Sequence, residues 1–153
     1  MALTTSGIAS YPRHGQSLAS TGGLRVLVAE DNAINQKVVD LMLRDRGLKV
    51  DIVPDGKRAL AAHRAKPYDL ILMDLQMPVM DGWQATSQIR QLRAKQPIIV
   101  ALTADVIGDV REKCLKAGMD DYLSKPFTKN QLLTVVRSAL KRLTNAGAIR
   151  KAS

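Results

Sequence analysis

The sequence predicts an α/β domain, a parallel five-stranded sheet with helices on both faces. Short, continuously apolar runs recur along the chain, most clearly Leu70-Ile71-Leu72-Met73. Such runs mark strands buried on both faces. Segments of helical apolar period separate them, and strands alternating with helices fold as parallel crossover units. The 153 residues are 46 % hydrophobic but only 3 % aromatic, enough for one domain with an aliphatic core.

Taken in order, Met1 to Gly23 is rich in Ser, Thr and Gly, the composition of a flexible leader or linker (residues 1–23). The folded domain is expected from Leu24 to Leu143. Leu24 to Ala29 is the first strand. Ala33 to Arg46 has helical period and stops at Gly47, a C-terminal cap. Lys49 to Val53 is the second strand, and Gly56 to Ala65 the second helix, closed by Pro67. Asp69 to Met73 is the central strand. Polar loop chemistry follows it at once, with Pro78 and the pair Asp81-Gly82. Gly82 to Arg93 forms the third helix, Pro97 to Leu102 the fourth strand, and Val106 to Ala117 the fourth helix, capped by Gly118. Gly108 weakens the start of that helix, because glycine costs about 1 kcal/mol against alanine there, so a short helix is expected. Asp120 to Ser124 is the fifth strand. Thr128 to Leu143 is the last helix, with Thr128 as N-cap, and Thr144 to Ser153 reads as a frayed tail (residues 144–153).

No apolar run approaches the roughly 20 residues of a membrane helix, and Met1 to Gly23 has no signal-peptide apolar stretch. A cytoplasmic domain is expected. The single cysteine, Cys114, excludes an internal disulfide; placed among apolar helix positions, it reads as a buried inert thiol. The net charge of +9 suits either an acidic partner or a solvated basic surface.

Alternation does not give the strand order, but it places the chemistry. Residues just past each strand's carboxyl end gather along one edge of a parallel sheet. Glu30 and Asp31 follow the first strand, Asp74 the third, Thr103 the fourth, and Lys125 with Pro126 the fifth. Each alone could be a turn or cap residue. Together, three crowded carboxylates repel one another, and a bound cation removes the repulsion. Mg²⁺ suits one or two carboxylates plus waters. A lysine and a threonine hydroxyl suit phosphoryl oxygens. The rim is therefore built to place a phosphoryl group beside a metal, and a carboxylate there can serve as nucleophile.

Val28-Ala29-Glu30-Asp31-Asn32, the segment Met73 to Gly82, Ala101-Leu102-Thr103-Ala104 and the segment Ala117 to Pro126 closely resemble response-regulator receiver domains. The resemblance spans Leu24 to about Leu143. Asp31-Asn32-Ala33-Ile34-Asn35-Gln36 is most similar to receivers of hybrid sensor histidine kinases. The resemblance implies a flavodoxin-like doubly wound fold with strand order 2-1-3-4-5. It implies that Asp74 accepts a phosphoryl group from the phosphohistidine of a histidine kinase or histidine phosphotransfer protein. Asp31, Asp74 and the backbone carbonyl of Gln76 would hold Mg²⁺, with Glu30 acting through a metal-bound water. Thr103 and Lys125 would bond the phosphoryl oxygens, Tyr122 would swing inward with Thr103, and the Lys125–Pro126 bond would be cis.

Rival classes fit less well. A flavodoxin-type electron carrier would want a hydroxyl- and glycine-rich phosphate loop where Glu30 and Asp31 stand. A phosphatase with an aspartyl nucleophile would usually carry a second Asp at the position of Gln76. A DNA-binding regulator would need an output domain, and only ten residues follow Leu143; no nucleic-acid partner is expected. A stand-alone or unphosphorylated receiver-like binding module is the remaining alternative.

Partner docking is expected on the first helix. Val39, Met42 and Leu43 face the sheet, whereas Ile34, Val38 and Leu41 form an apolar edge beyond the roughly 100° a core-facing stripe needs. That edge either meets a partner or lies under the last helix. Lys37 and Arg44 flank it.

Overall fold

The run Leu70–Asp74 is buried at every residue and forms β3, the central strand of the computed structural model, which describes residues 24–104 and 108–145. Beside it lie β1 (Arg25–Ala29), β2 (Lys49–Val53), β4 (Ile98–Thr103) and β5 (Asp121–Ser124). All neighbouring pairs are parallel and the order is β2-β1-β3-β4-β5. Five helices alternate with the strands among the described residues: α1 (Ala33–Arg44), α2 (Gly56–Ala65), α3 (Gly82–Arg90), α4 (Val110–Lys116) and α5 (Lys129–Asn145).

The pleat divides the apolar residues into two layers. Val26, Val28, Leu70, Leu72, Val100, Leu102 and Leu123 pack with Val39 and Leu43 of α1 and with Leu132, Leu133, Val136 and Leu140 of α5. Leu27, Ala29, Ile71, Met73, Ile99 and Ala101 pack on the other face with Ala59 and Leu60 of α2, Ala85 and Ile89 of α3, and Val110 and Cys114 of α4. Leu70, Ile71, Leu72 and Met73 are each 0 % exposed. Full burial contributes about 1.5–3 kcal/mol per side chain of this size, so β3 anchors both layers.

Side chains start the helices where the sequence places them. Asn32 accepts the N–H groups of Ile34 and Asn35, Asp55 that of Arg58, and Asp81 that of Gln84. Thr128 accepts from the Gln131 N–H at 3.1 Å while Gln131 Oε1 accepts from the Thr128 N–H at 2.8 Å, a capping box ahead of α5. Gly118, with φ of +100°, ends α4 in the left-handed conformation glycine tolerates.

Several boundaries differ from the sequence expectation. α3 stops at Arg90, three residues early, because Arg90 turns inward: its guanidinium donates to the carbonyls of Gly118 and Pro97 and to Asp120. α4 begins at Val110 rather than Val106, after Gly108 at φ +77°; residues 105–107 lie outside the described part. α5 runs to Asn145, so Thr144 belongs to the helix and not to a frayed tail, and its hydroxyl bonds to the Leu140 carbonyl. The expected leader, residues 1–23, and the rest of the tail, residues 146–153, lie outside the described residues.

The sheet's amino-terminal edge carries a polar network. His63 is fully buried; its Nδ1 accepts from the Tyr68 N–H and its Nε2 faces the Lys95 carbonyl, each at 3.0 Å. Burial holds that imidazole below its ordinary pKa, so it is neutral. Arg25 stacks over the Tyr68 ring at 4.5 Å, Tyr68 donates to Asp51, and Asp69 joins Lys95 to the Arg25 N–H. This network braces the edge away from the acids.

Candidate functional site

The register decides which rim side chains meet. Val28 pairs with Leu72 and Ala29 with Met73, so Glu30, one residue past β1, lies level with Asp74. Counting in twos, Glu30 continues Val26 and Val28, Asp74 continues Leu70 and Leu72, and Lys125 continues Leu123. All three therefore share the α1/α5 side. Thr103 continues Ile99 and Ala101 on the other side; it is 3 % exposed.

Lys125 Nζ lies 2.6 Å from Glu30 Oε1 and 3.2 Å from Asp74 Oδ2. Glu30 Oε2 also accepts the Asn32 N–H at 3.1 Å, and the Gln76 N–H donates to Asp74 Oδ1 at 3.2 Å. Gln36 reaches back from α1 to the Glu30 carbonyl at 2.6 Å. The backbone N–H of Lys125 bonds to the Thr103 carbonyl at 2.7 Å, tying two rim residues together. The Lys125–Pro126 bond is cis.

The electrostatics are uneven. Burial pushes the Asp74 carboxyl up, the Glu30 charge pushes it further, and Lys125 offsets only part, leaving Asp74 at about 6. Burial would raise Glu30 too, but the bonds from Lys125 and Asn32 bring it below its ordinary value. Burial opposes the Lys125 charge, yet Glu30 and Asp74 hold the ammonium above its usual pKa. The lysine thus serves Glu30 first, and Asp74 remains under-neutralised.

Glu30, Asp31 and Asp74 each offer a carboxylate oxygen, all within 4.8 Å of one another. Asp31 is exposed while the other two are buried, so the set opens to solvent on one side. An oxygen-only donor set with residual repulsion at Asp74 fits a hard divalent cation. The surrounding cavity, about 340 Å³, is also lined by Gln76, Thr103, Lys125 and Trp83. Tyr122 is half-buried against the α2–α4 layer.

The α1 edge is open. Ile34 is 74 % exposed, Leu41 63 % and Val38 40 %, whereas Val39 and Leu43 are buried. α5 does not cover them: its apolar face packs on the sheet, and its first residue, Lys129, bonds instead to Asp45 beyond the end of α1. Arg44 bonds to Asp40 at 2.8 Å on its own helix.

A family model described as the response regulator receiver domain matches residues 26–137. The chain belongs to that family. Among curated proteins it is 45 % identical over 116 residues to the sensor histidine kinase GacS of Pseudomonas protegens, covering 73 % of this chain and 13 % of that protein. It is 41 % identical over 125 residues to hybrid signal transduction histidine kinase I of Dictyostelium discoideum, covering 76 % of this chain and 7 % of that protein. The receiver thus spans a small part of these kinases. Among solved structures, the receiver domain of the sensor histidine kinase PA1611 of Pseudomonas aeruginosa, with a magnesium ion coordinated in its active-site cleft, superposes with a TM-score of 0.72. It is 41 % identical, over 78 % of this chain and 99 % of that one. The resemblance to hybrid-kinase receivers and the flavodoxin-like fold both hold. No helix among the described residues is long and apolar enough to cross a membrane.

Trp83 is the site residue that the sequence reading missed. The signal was present, since this receiver's lone tryptophan directly follows the Asp81-Gly82 pair. A Cβ on Gly82 would lie 2.2 Å from the Asp74 carbonyl oxygen, so only glycine lets the start of α3 press against the end of β3 and bring Trp83 to the rim.

Proposed function

We propose that this receiver is the phosphoacceptor of a two-component phosphorelay and that Asp74 takes a phosphoryl group from a phosphohistidine. The observation that carries the reading is the under-neutralised, buried Asp74 beside Lys125 and Glu30 in an open acidic cavity. Near neutral pH the Asp74 carboxyl, at about 6, is mostly ionised and nucleophilic. Its oxygen forms a bond to phosphorus as the donor's phosphorus–nitrogen bond breaks, and the imidazole nitrogen keeps the electron pair. Lys125 and Thr103 would then bond the phosphoryl oxygens.

Asp31, Asp74 and the Gln76 carbonyl would hold Mg²⁺, with Glu30 reaching it through water. Bound there, the ion supplies positive charge against the phosphoryl oxygens and the clustered acids. The chain turns over no substrate; it assists its own phosphorylation and dephosphorylation. Phosphorylation would draw Thr103 and Lys125 toward the phosphoryl group, with Tyr122 following, and would favour an active conformation through contacts stronger in that state.

The exposed Ile34, Val38 and Leu41 would meet the helical bundle of a histidine kinase or phosphotransfer protein in the cytoplasm. An apolar patch beside the rim is the kind of surface a partner covers. The test is incubation with acetyl phosphate and Mg²⁺ followed by intact mass. One phosphoryl group on the wild type and none on Asp74→Asn is the expected result. A wild-type chain left unmodified by several competent donors would leave only a binding module.

A further inference from the structure

We propose that the indole of Trp83 walls off the Met77–Pro78 side of the acceptor cavity from water and thereby lengthens the lifetime of a phosphoryl group on Asp74. The proposal rests on the phosphoacceptor reading and adds the control of its reversal.

Two hollows meet at Trp83. One is the acceptor cavity around Asp74; the other is a shallow depression over Met77, Pro78 and Asp81, sharing Asp31, Leu75 and Gln76 with the first. The indole is half-buried and packs against the apolar layer under α2 and α3. Among the described residues it is the largest apolar side chain lining the cavity, with Leu75 and Ala104 beside it.

Its mounting is stiff. The Gly82 N–H bonds to the Leu75 carbonyl at 3.0 Å, the Gly56 N–H to the Met80 carbonyl at 2.8 Å, and the Met80 N–H to the Pro78 carbonyl at 2.7 Å. That last bond closes a three-residue turn around Val79 at φ +69°. The loop leading into Trp83 is therefore pinned at Met80 and Gly82, and the Gly82 bond to Leu75 ties the indole's backbone to the residue after Asp74.

The reaction it governs is hydrolysis. A water oxygen bonds to phosphorus, the phosphorus–oxygen bond to Asp74 breaks, the carboxylate is regenerated, and inorganic phosphate leaves with a proton released. Lys125, Glu30 and Thr103 are polar and can accommodate a water. Trp83 occupies the side from which water would otherwise enter over Met77 and Pro78. Truncating it joins the two hollows and opens a second route to phosphorus.

The experiment labels Asp74 with acetyl phosphate in Mg²⁺, removes the donor, and follows decay of the labelled fraction by intact mass. It compares wild type, Trp83→Phe and Trp83→Ala, with Trp83→Leu as a second truncation should the alanine variant not fold. Decay in the truncated variant should be roughly fivefold or more faster, the signature of lost water exclusion. Trp83→Phe, which keeps a wall but lacks the indole N–H, should decay close to wild type. Equal lifetimes in all variants would overturn the proposal. So would a phenylalanine variant as short-lived as the truncated one, because the indole N–H and not the wall would then matter. A wild type that never takes the label overturns the phosphoacceptor reading itself and the barrier with it.

Discussion

Replacing Asp74 with asparagine should stabilise the metal-free domain, and the gain should depend on pH. Burial and the Glu30 charge raise the Asp74 carboxyl from 3.8 to about 6 in the folded protein. The folded state therefore holds this proton more tightly than the unfolded chain. The corresponding stability is fully present below the unfolded value and is lost as pH rises through about 6. At about 1.4 kcal/mol per pKa unit, the ionised carboxylate costs up to ~3 kcal/mol above neutrality. Relaxation around the charge and sharing of Lys125 bring the expected value to about 1–3 kcal/mol. Asparagine carries no charge and escapes this cost. Urea unfolding of both proteins at several values between about pH 4.5 and 7.5 should show the variant's advantage growing by that amount. Differencing the two proteins at each pH cancels the titration of groups they share. Added Mg²⁺ should narrow the gap at the upper end, because the cation neutralises what the substitution removes. A difference that stays flat across the range would refute the claim that Asp74 sits under-neutralised.

Other outcomes follow from the same geometry. Calorimetry should show Mg²⁺ affinity weakened most by Asp31→Ala and less by Glu30→Ala; no change with either would remove the metal from this cluster. Lys125→Ala leaves Glu30 and Asp74 buried without a counter-charge and should cost about 3–5 kcal/mol at neutral pH. It should still bind Mg²⁺ yet blunt the phosphorylation response of Thr103 and Tyr122 amide shifts; a response like the wild type's would count against the switch. Ile34→Ser should alter stability by no more than about 0.5 kcal/mol, because the side chain is 74 % exposed. It should slow phosphotransfer from a protein donor while acetyl phosphate still labels Asp74 at the wild-type rate. Equal loss with both donors would end the docking assignment.

What could be read from the sequence was local. Apolar runs fixed the strands, helical period fixed the helices, and the caps Thr128 and Gly118 act within a few residues of where they stand. The rim was legible because parallel strands bring their carboxyl ends to one edge, whatever the order of the strands. The strand order came from the motifs that resemble the family, and the structure has that order. The side of the sheet taken by each rim residue was not legible. Strands buried on both faces lose the alternation that reports direction, so Leu70 to Met73 look alike in sequence although they divide between two layers. Pairing with neighbouring strands decided that Lys125 meets Glu30 at 2.6 Å and Asp74 at 3.2 Å, and with it the uneven charge of the acceptor. Tertiary packing also decided that α5 covers the sheet and leaves Ile34 and Leu41 in solvent, a choice that period alone left open. The His63, Tyr68 and Lys95 network and the approach of Trp83 to the rim join residues with no shared local pattern. Only the folded backbone brings them together, because burial and hydrogen bonding reward contacts in space and not nearness in the chain.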